Sequence, residues 1–332
     1  MFEKSFHKCD LSEYKILVTG GAGFIGSNIV DYLIKYGVGE VRVLDNLSTG
    51  YFENISMHDG LSNFVFIKED ITDYQACLEA TKGIDFVIHQ AALGSVPRSI
   101  SNPIATNLAN VNGTLNIFTS AKENNVKRIV YASSSSVYGD NALLPKQEAI
   151  IGNPLSPYAV SKYVSELYSH VFNNLYNIDI IGLRYFNVFG PKQSPEGPYA
   201  AVIPLFVNSL LKNESPIIFG DGNQTRDFTF VENAVQANIK SLFANKDLIK
   251  GKILNVALGE TTSINRLFEL IGDSLNIKNI SPSYMPERKG DIKDSLADVS
   301  EARKSIDYET IVRIEDGINI TVNWFKEYYL KG

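Results

Sequence analysis

Short apolar runs alternate along the first half of the chain with stretches in which apolar residues recur every three or four positions. The run Lys15-Ile16-Leu17-Val18-Thr19 reads as a strand, and Ile25, Ile29, Leu33 and Tyr36 behind it keep a helical spacing that Gly37 is placed to end. Further strands are expected at Glu40-Val41-Arg42-Val43-Leu44, Phe64-Val65-Phe66-Ile67, Asp85-Phe86-Val87-Ile88-His89, Lys127 to Ala132 and Asp179 to Tyr185. Helices are expected near Tyr74 to Thr81, over Asn107 to Glu123 (Val111, Leu115, Phe118 and Ala121 on one face) and over Ser156 to Tyr176. Strands separated by helices at this rhythm predict an α/β fold, a doubly wound parallel sheet covered on both faces, with ligands bound beyond the carboxyl ends of the strands.

After Asn187-Val188-Phe189-Gly190-Pro191 the pattern gives way to loops rich in glycine and proline, which mark departure into a second, smaller α/β domain. Arg226 to Phe230 and a helix from Val231 to Phe243 return to the first domain, whose last strand is Ile253 to Val256. A helix over Ile264 to Leu275, the segment Arg288 to Ala297 and a closing helix from Ile314 to Tyr328 follow. The expected division is residues 1–188 with 229–257 for the larger domain and 189–228 with 258–332 for the smaller. Residues 1 to 14 read as a polar leader, without the apolar core of a secretory signal.

Composition narrows the function classes. With 44% hydrophobic and 20% charged residues, the 332-residue chain is of ordinary globular make-up. Its net charge of -6, without a block of basic residues, argues against nucleic-acid binding, and no apolar run approaches the ~20 residues that span a bilayer. Two cysteines, Cys9 and Cys77, suggest neither a disulfide framework nor a thiolate zinc site, so no metal is expected and a reducing cytoplasm fits.

Two segments carry chemistry. Gly20, Gly23 and Gly26, in Gly20-Gly21-Ala22-Gly23-Phe24-Ile25-Gly26, fall between a strand and a helix, and the next strand stops at Asp45. Glycines there permit a tight turn and close approach to a pyrophosphate, and the helix amino end favours its charge; this is the dinucleotide-binding context. Asp45 is placed to accept from an adenosine ribose, which favours NAD over NADP, although a polar turn would explain it too. Asp70, followed by Ile71, stands similarly after the third strand, where a surface turn is the alternative. In the second segment, four serines (Ser133 to Ser136) precede Val137-Tyr138-Gly139 and then Tyr158-Ala159-Val160-Ser161-Lys162. On a helix, Lys162 shares a face with Tyr158, and a cation beside a phenol favours the phenolate. Taken alone, the pair fits an amphipathic helix with an exposed lysine equally well.

With these motifs in register, the chain resembles an extended short-chain dehydrogenase/reductase from residue 15 onward, which implies a Rossmann domain. His89-Gln90-Ala91-Ala92-Leu93-Gly94-Ser95-Val96-Pro97-Arg98-Ser99, Leu155 to Lys162 and Leu183 to Gly190 are similar to the UDP-N-acetylglucosamine 4-epimerases of bacterial polysaccharide synthesis. The resemblance implies that Ser134 hydrogen-bonds the sugar oxygen at carbon 4, that Tyr158 is the base, and that Lys162 binds the nicotinamide ribose and lowers the tyrosine pKa. It adds Phe24, Ile25, Asn46, Ala91, Ala92, Asn110 and Tyr185 to the cofactor's neighbours. For the UDP-sugar it implies Gly94, Ser95, Ser135, Asn187, Ala201 and Val202, with Arg226 and Arg288 on the phosphates and Asp291 on the uridine ribose. A homodimer formed through the helices Asn107 to Glu123 and Ser156 to Tyr176 is the family default.

Related dehydratases and decarboxylases carry carboxylates where this chain has Ser135 and Ser136. The resemblance therefore favours oxidation and re-reduction at carbon 4, through a transient 4-keto sugar with retained NAD, over elimination. It also places Ser295 where a bulky tyrosine narrows the pocket in related enzymes, so UDP-GlcNAc and UDP-GalNAc are the expected pair. Ser295 as an ordinary loop serine remains open. So do UDP-glucose/UDP-galactose or UDP-uronic acids as substrates, a reductase using free NADPH, and an NAD-sensing regulatory protein.

Overall fold

In the computed structural model, which describes residues 1–176, 178–195, 201–287 and 293–331, the apolar runs join in one seven-stranded parallel sheet. Its strands are β1 (Lys15–Thr19), β2 (Glu40–Leu44), β3 (Phe64–Ile67), β4 (Phe86–His89), β5 (Arg128–Ser134), β6 (Asp179–Tyr185) and β7 (Ile253–Val256). They lie in the order β3-β2-β1-β4-β5-β6-β7, so the winding direction reverses between β1 and β4. A crevice opens beyond the carboxyl ends of the strands at such a reversal. The main helices are α1 (Phe24–Lys35), α2 (Tyr74–Thr81), α3 (Gly113–Glu123), α4 (Pro157–Leu175), α5 (Val202–Leu211), α6 (Val231–Phe243), α7 (Ile264–Leu275) and α8 (Ile314–Lys331).

Full burial along β6, and along β5 except at Ala132 and Ser134, follows from helices on both faces of the sheet. On one face Ile29 and Leu33 of α1 and Val235 and Ile239 of α6 share a core with Val41 and Ile88; on the other, Cys77, Phe118 and Phe172 pack with Leu17 and Ile129. A further core joins Phe206 of α5, Leu267 and Ile271 of α7 and Ile318, Val322 and Phe325 of α8 to Phe189 and Phe230. Ala297, Val299, Ala302 and Ile306 belong to the sheet's core although they lie late in the chain. No helix among the described residues is long and apolar enough to cross a membrane.

Two elements carry features that periodicity did not show. The leader is docked, because Phe2 and Phe6 are buried against Tyr32 (ring centroids 5.5 and 5.0 Å away) and the Phe2 amide donates to Glu232 at 2.7 Å. Its polar residues conceal two aromatic anchors too far apart to register as a periodic element. The helix expected from Asn107 to Glu123 is the later part of a longer one, in which a π-helical turn over Leu108–Asn112 lies between α-helical Pro103–Asn107 and Gly113–Glu123. Such turns interrupt the regular ladder and re-aim a side chain; here it is Asn110, whose amide bonds Leu93 through both groups and also reaches Ser161. Helix α4 starts sharply at Pro157, with the Ser156 hydroxyl accepting from the Ala159 amide at 3.1 Å.

Candidate active site

Gly20 follows β1, Asp45 follows β2, Ala91 lies just beyond β4, Ser134 ends β5 and Tyr185 ends β6, and all face one cleft of about 840 Å³. That volume suits a bound organic ligand.

The glycine turn forms its floor. Gly20 has φ +68°, and a Cβ there would stand 2.6 Å from the Ala91 nitrogen; one at Gly26 would stand 2.1 Å from the Gly20 carbonyl oxygen. A Cβ at Gly23 would meet only that same oxygen, at 3.1 Å. The turn thus requires glycine where backbones meet. Gly23 caps α1 without any side chain over the first-turn amides, so their N–H groups remain for an anion. This bare cradle fits the pyrophosphate of a dinucleotide.

At one end of the cleft, the buried Asp45 carboxylate accepts from the Ala22 amide at 3.0 Å and from Leu47 at 2.8 Å, which fixes its plane. Burial raises its pKa against the pull of those two bonds. Asn46 donates to Asp70 at 2.6 Å, and Asp70 also accepts from the Thr72 amide at 2.8 Å. Burial would raise the Asp70 pKa, but these bonds hold it below the usual carboxylate range. Carboxylates at this end are suited to ribose hydroxyls and repel a 2'-phosphate.

At the other end, helix α4 presents Tyr158 and Lys162 to the tip of β5. The Ser134 hydroxyl accepts from the Ser136 amide at 3.1 Å and stands close enough to the Tyr158 phenol to favour its phenolate. Lys162 donates to the Ala132 carbonyl at 2.7 Å, its Nζ 6.0 Å from the Tyr158 ring centroid. The expected lowering of the tyrosine pKa by lysine is not what the protein's own groups produce: burial pushes Tyr158 up and the Ser134 hydroxyl opposes it. Lys162 itself is pushed down to about 8 by burial, with Glu166 one turn on pulling it back up. Behind them His89 is locked between Thr19 and Thr114 at 2.6 and 3.0 Å, and burial, then Lys162, lower its pKa to about 3, so it is a neutral structural group.

Of the residues singled out in the sequence, Gly20, Gly23, Phe24, Ile25, Gly26, Asp45, Asn46, Asp70 and Ile71 line this cleft, as do Ala91, Ala92, Tyr158, Lys162 and Tyr185. So do Gly94, Ser95, Ser134 and Asn187. Asn110 lies behind the wall, holding Leu93. Ser135, Ala201, Val202, Arg226 and Ser295 are not among the lining residues. Arg226 donates to the Thr225 and Lys293 carbonyls, and the Ser295 amide donates to Thr225, so both sit where β-strand Thr225–Arg226 meets residues 293–295. Arg288 and Asp291 lie outside the described residues. Among the lining residues to which the sequence reading gave no role, three stand out. Gln90 accepts from the Tyr185 hydroxyl at 3.2 Å; Gln193 holds a buried amide oxygen without a partner; Ser133 is the serine before Ser134. The serine run hinted at Ser133, Gln90 stood within the motif His89 to Ser99 without a role of its own, and nothing pointed to Gln193.

Residues 16–257 match the model of the NAD dependent epimerase/dehydratase family. A UDP-N-acetylglucosamine 4-epimerase from Methanobrevibacter ruminantium, solved with UDP-N-acetylmuramic acid, is 43% identical and superposes with a TM-score of 0.89, covering 95% of this chain and 99% of its own. The UDP-glucose 4-epimerase of Mycolicibacterium smegmatis is 37% identical over 94% of this chain and 98% of its own length. A UDP-glucuronic acid 4-epimerase from Bacillus cereus, solved with UDP-4-deoxy-4-fluoro-glucuronic acid and NAD, is 30% identical with a TM-score of 0.87, covering 95% of this chain and 100% of its own.

Proposed function

Because this chain belongs to the NAD-dependent epimerase/dehydratase family, we propose that it inverts carbon 4 of a UDP-sugar, with UDP-GlcNAc and UDP-GalNAc as the preferred pair. The observation that carries the reaction is the reacting end of the cleft. There Ser134 faces Tyr158, and among the described residues the carboxylates that line the cleft, Asp45, Glu69 and Asp70, cluster at the opposite end by β2 and β3. Elimination needs an acid/base carboxyl beside the sugar. A serine and a tyrosine supply a hydroxyl to orient the sugar oxygen and a phenol to move its proton.

NAD, when bound, supplies the hydride acceptor and returns the hydride. The glycine turn would hold its pyrophosphate, Asp45 and Asp70 the adenosine side, and Tyr158 and Lys162 the nicotinamide side. In the reaction Ser134 donates to the carbon-4 oxygen, and Tyr158 accepts the hydroxyl proton and later gives it back. Lys162, charged below about pH 8, stabilises the phenolate for as long as it exists. Residues 1–188 with 229–257 would form the cofactor domain, and 189–228 with 258–332 the sugar-nucleotide domain. Exposed Ile104, Leu167, Val171 and Leu175 support a homodimer through α4 and its neighbour.

The acetylated pair is supported by the 43% identity to a UDP-N-acetylglucosamine 4-epimerase and by the resemblance that sets the small Ser295 where related enzymes carry a tyrosine, although Ser295 does not line the cleft. The test is incubation of the purified protein with UDP-GlcNAc, UDP-glucose and UDP-glucuronic acid separately, without added cofactor, followed by product identification. Conversion of UDP-GlcNAc to UDP-GalNAc at the highest kcat/KM is expected. Faster turnover of either other sugar overturns the preference, and no conversion of any overturns the reaction.

A further inference from the structure

Three consecutive residues at the end of β5 each meet one of three residues spaced a turn apart on α4. Ser134 faces Tyr158; Ala132 accepts from Lys162 at 2.7 Å; and Ser133, buried and lining the cleft, donates to Glu166 at 2.6 Å. Tyr158, Lys162 and Glu166 stand at i, i+4 and i+8 and so share one helix face. We infer that Glu166 and Ser133 are positioning residues, which pin the tip of β5 to α4 so that Ser134 meets Tyr158 and Lys162 in reacting geometry. The inference rests on the reading of those three as the reacting groups.

Glu166 is itself held rigidly. Arg184 of β6, which stands opposite Ser133 in the parallel ladder, donates from Nε to Oε1 at 2.9 Å and from Nη2 to Oε2 at 2.8 Å. This forked pair fixes the carboxylate plane as well as its place. The same guanidinium lies 4.8 Å from the Tyr138 ring centroid, and the Tyr138 hydroxyl donates to Asn255 of β7 at 2.7 Å. The chain entering Ser134 and the turn leaving it are therefore both braced from β6. A buried pair of this kind adds little net stability over an apolar pair, while its geometry can hold neighbours to a fraction of an ångström. Reacting groups require such tolerance, since a displacement of about 1 Å can cost on the order of a hundredfold in rate.

Glu166 has a second consequence. Facing Lys162 are Tyr158 and Glu166 on its own helix, neutral His89 on β4 and the Ala132 carbonyl on β5, with Arg184 beyond Glu166. Glu166 is thus the anion that favours a charged Lys162.

The test uses the full-length protein with its NAD. Ser133→Ala removes one hydroxyl and leaves Glu166 paired to Arg184, so folding should survive; Glu166→Gln keeps the shape and removes the charge. Expected for Ser133→Ala are unchanged NAD content, unfolding midpoint and KM, with kcat down about tenfold or more and restored in part by Ser133→Thr. For Glu166→Gln, the Lys162 titration, followed by NMR of lysine-labelled protein, moves below its wild-type value, and the upper limb of the kcat profile moves with it. Wild-type kcat in Ser133→Ala overturns the inference, as does a loss of kcat only in proportion to lost NAD or lost stability. If the wild type converts no UDP-sugar, the functional reading fails separately. The titration then still decides: an unmoved Lys162 in Glu166→Gln overturns the role assigned to the carboxylate.

Discussion

Asn46 donates its side-chain amide to the Asp70 carboxylate at 2.6 Å, joining the residue after Asp45 to the loop beyond β3 at the end of the cleft proposed for the adenosine. Asp70→Ala removes this contact and the bond from Thr72. Hydrogen bonds to charged groups contribute roughly 1.5–3 kcal/mol each. The variant is expected to hold NAD at least about tenfold more weakly, read as NAD released after gel filtration and denaturation. Its turnover with saturating added NAD should stay near wild type.

Tyr158→Phe keeps the ring in its wall and removes the proton-carrying oxygen. Turnover is expected to fall by roughly 10²–10⁴, the usual contribution of a general acid/base. NAD content and thermal midpoint should not change. Survival of turnover would show that another group takes the proton.

Lys162 gives activity and stability opposite pH trends. Its folded pKa is pushed from 10.5 down to about 8, so between these values the unfolded chain binds more protons than the folded one. The group's contribution to stability therefore rises with pH across that window. Activity, which needs the charged lysine, should fall above about pH 8. A pH profile of kcat beside denaturant melts at the same pH values separates the two, and loss of activity that tracks unfolding would refute the assignment.

Glycine substitutions should sort by what a Cβ meets. Gly26→Ala would put its Cβ 2.1 Å from the Gly20 carbonyl oxygen, in backbone that cannot yield without moving the cradle. Its NAD content should drop by more than about tenfold, a loss above ~1.4 kcal/mol. Gly37→Ala meets nothing within 4 Å but sits at φ +69°, so only ~1–2 kcal/mol of stability should be lost, with NAD retained.

The docked amino terminus predicts a stability effect without a catalytic one. Phe6→Ala removes a ring stacked on Tyr32 at 5.0 Å and should destabilise by about 3 kcal/mol in urea unfolding. Turnover at saturating substrate should remain unchanged, because Phe6 packs on Tyr32 and is not among the residues lining the cleft.

The order of strands and helices, the glycine turn, the acid after β2 and the Tyr158/Lys162 pair were all legible from sequence. Each is a local pattern, set by a side-chain period or by a few neighbouring residues whose backbone demands are intrinsic. Tertiary structure alone decided the partners. Phe2 reaches Glu232, Asn46 reaches Asp70, and Ser133 and Arg184 both reach Glu166, across separations no periodicity spans. Periodicity says which face is buried; the register between β5 and β6 and the seating of α4 say against what. For the same reason Ser133, indistinguishable in sequence from the serines beside it, differs in space: of the four it is the one that faces Glu166.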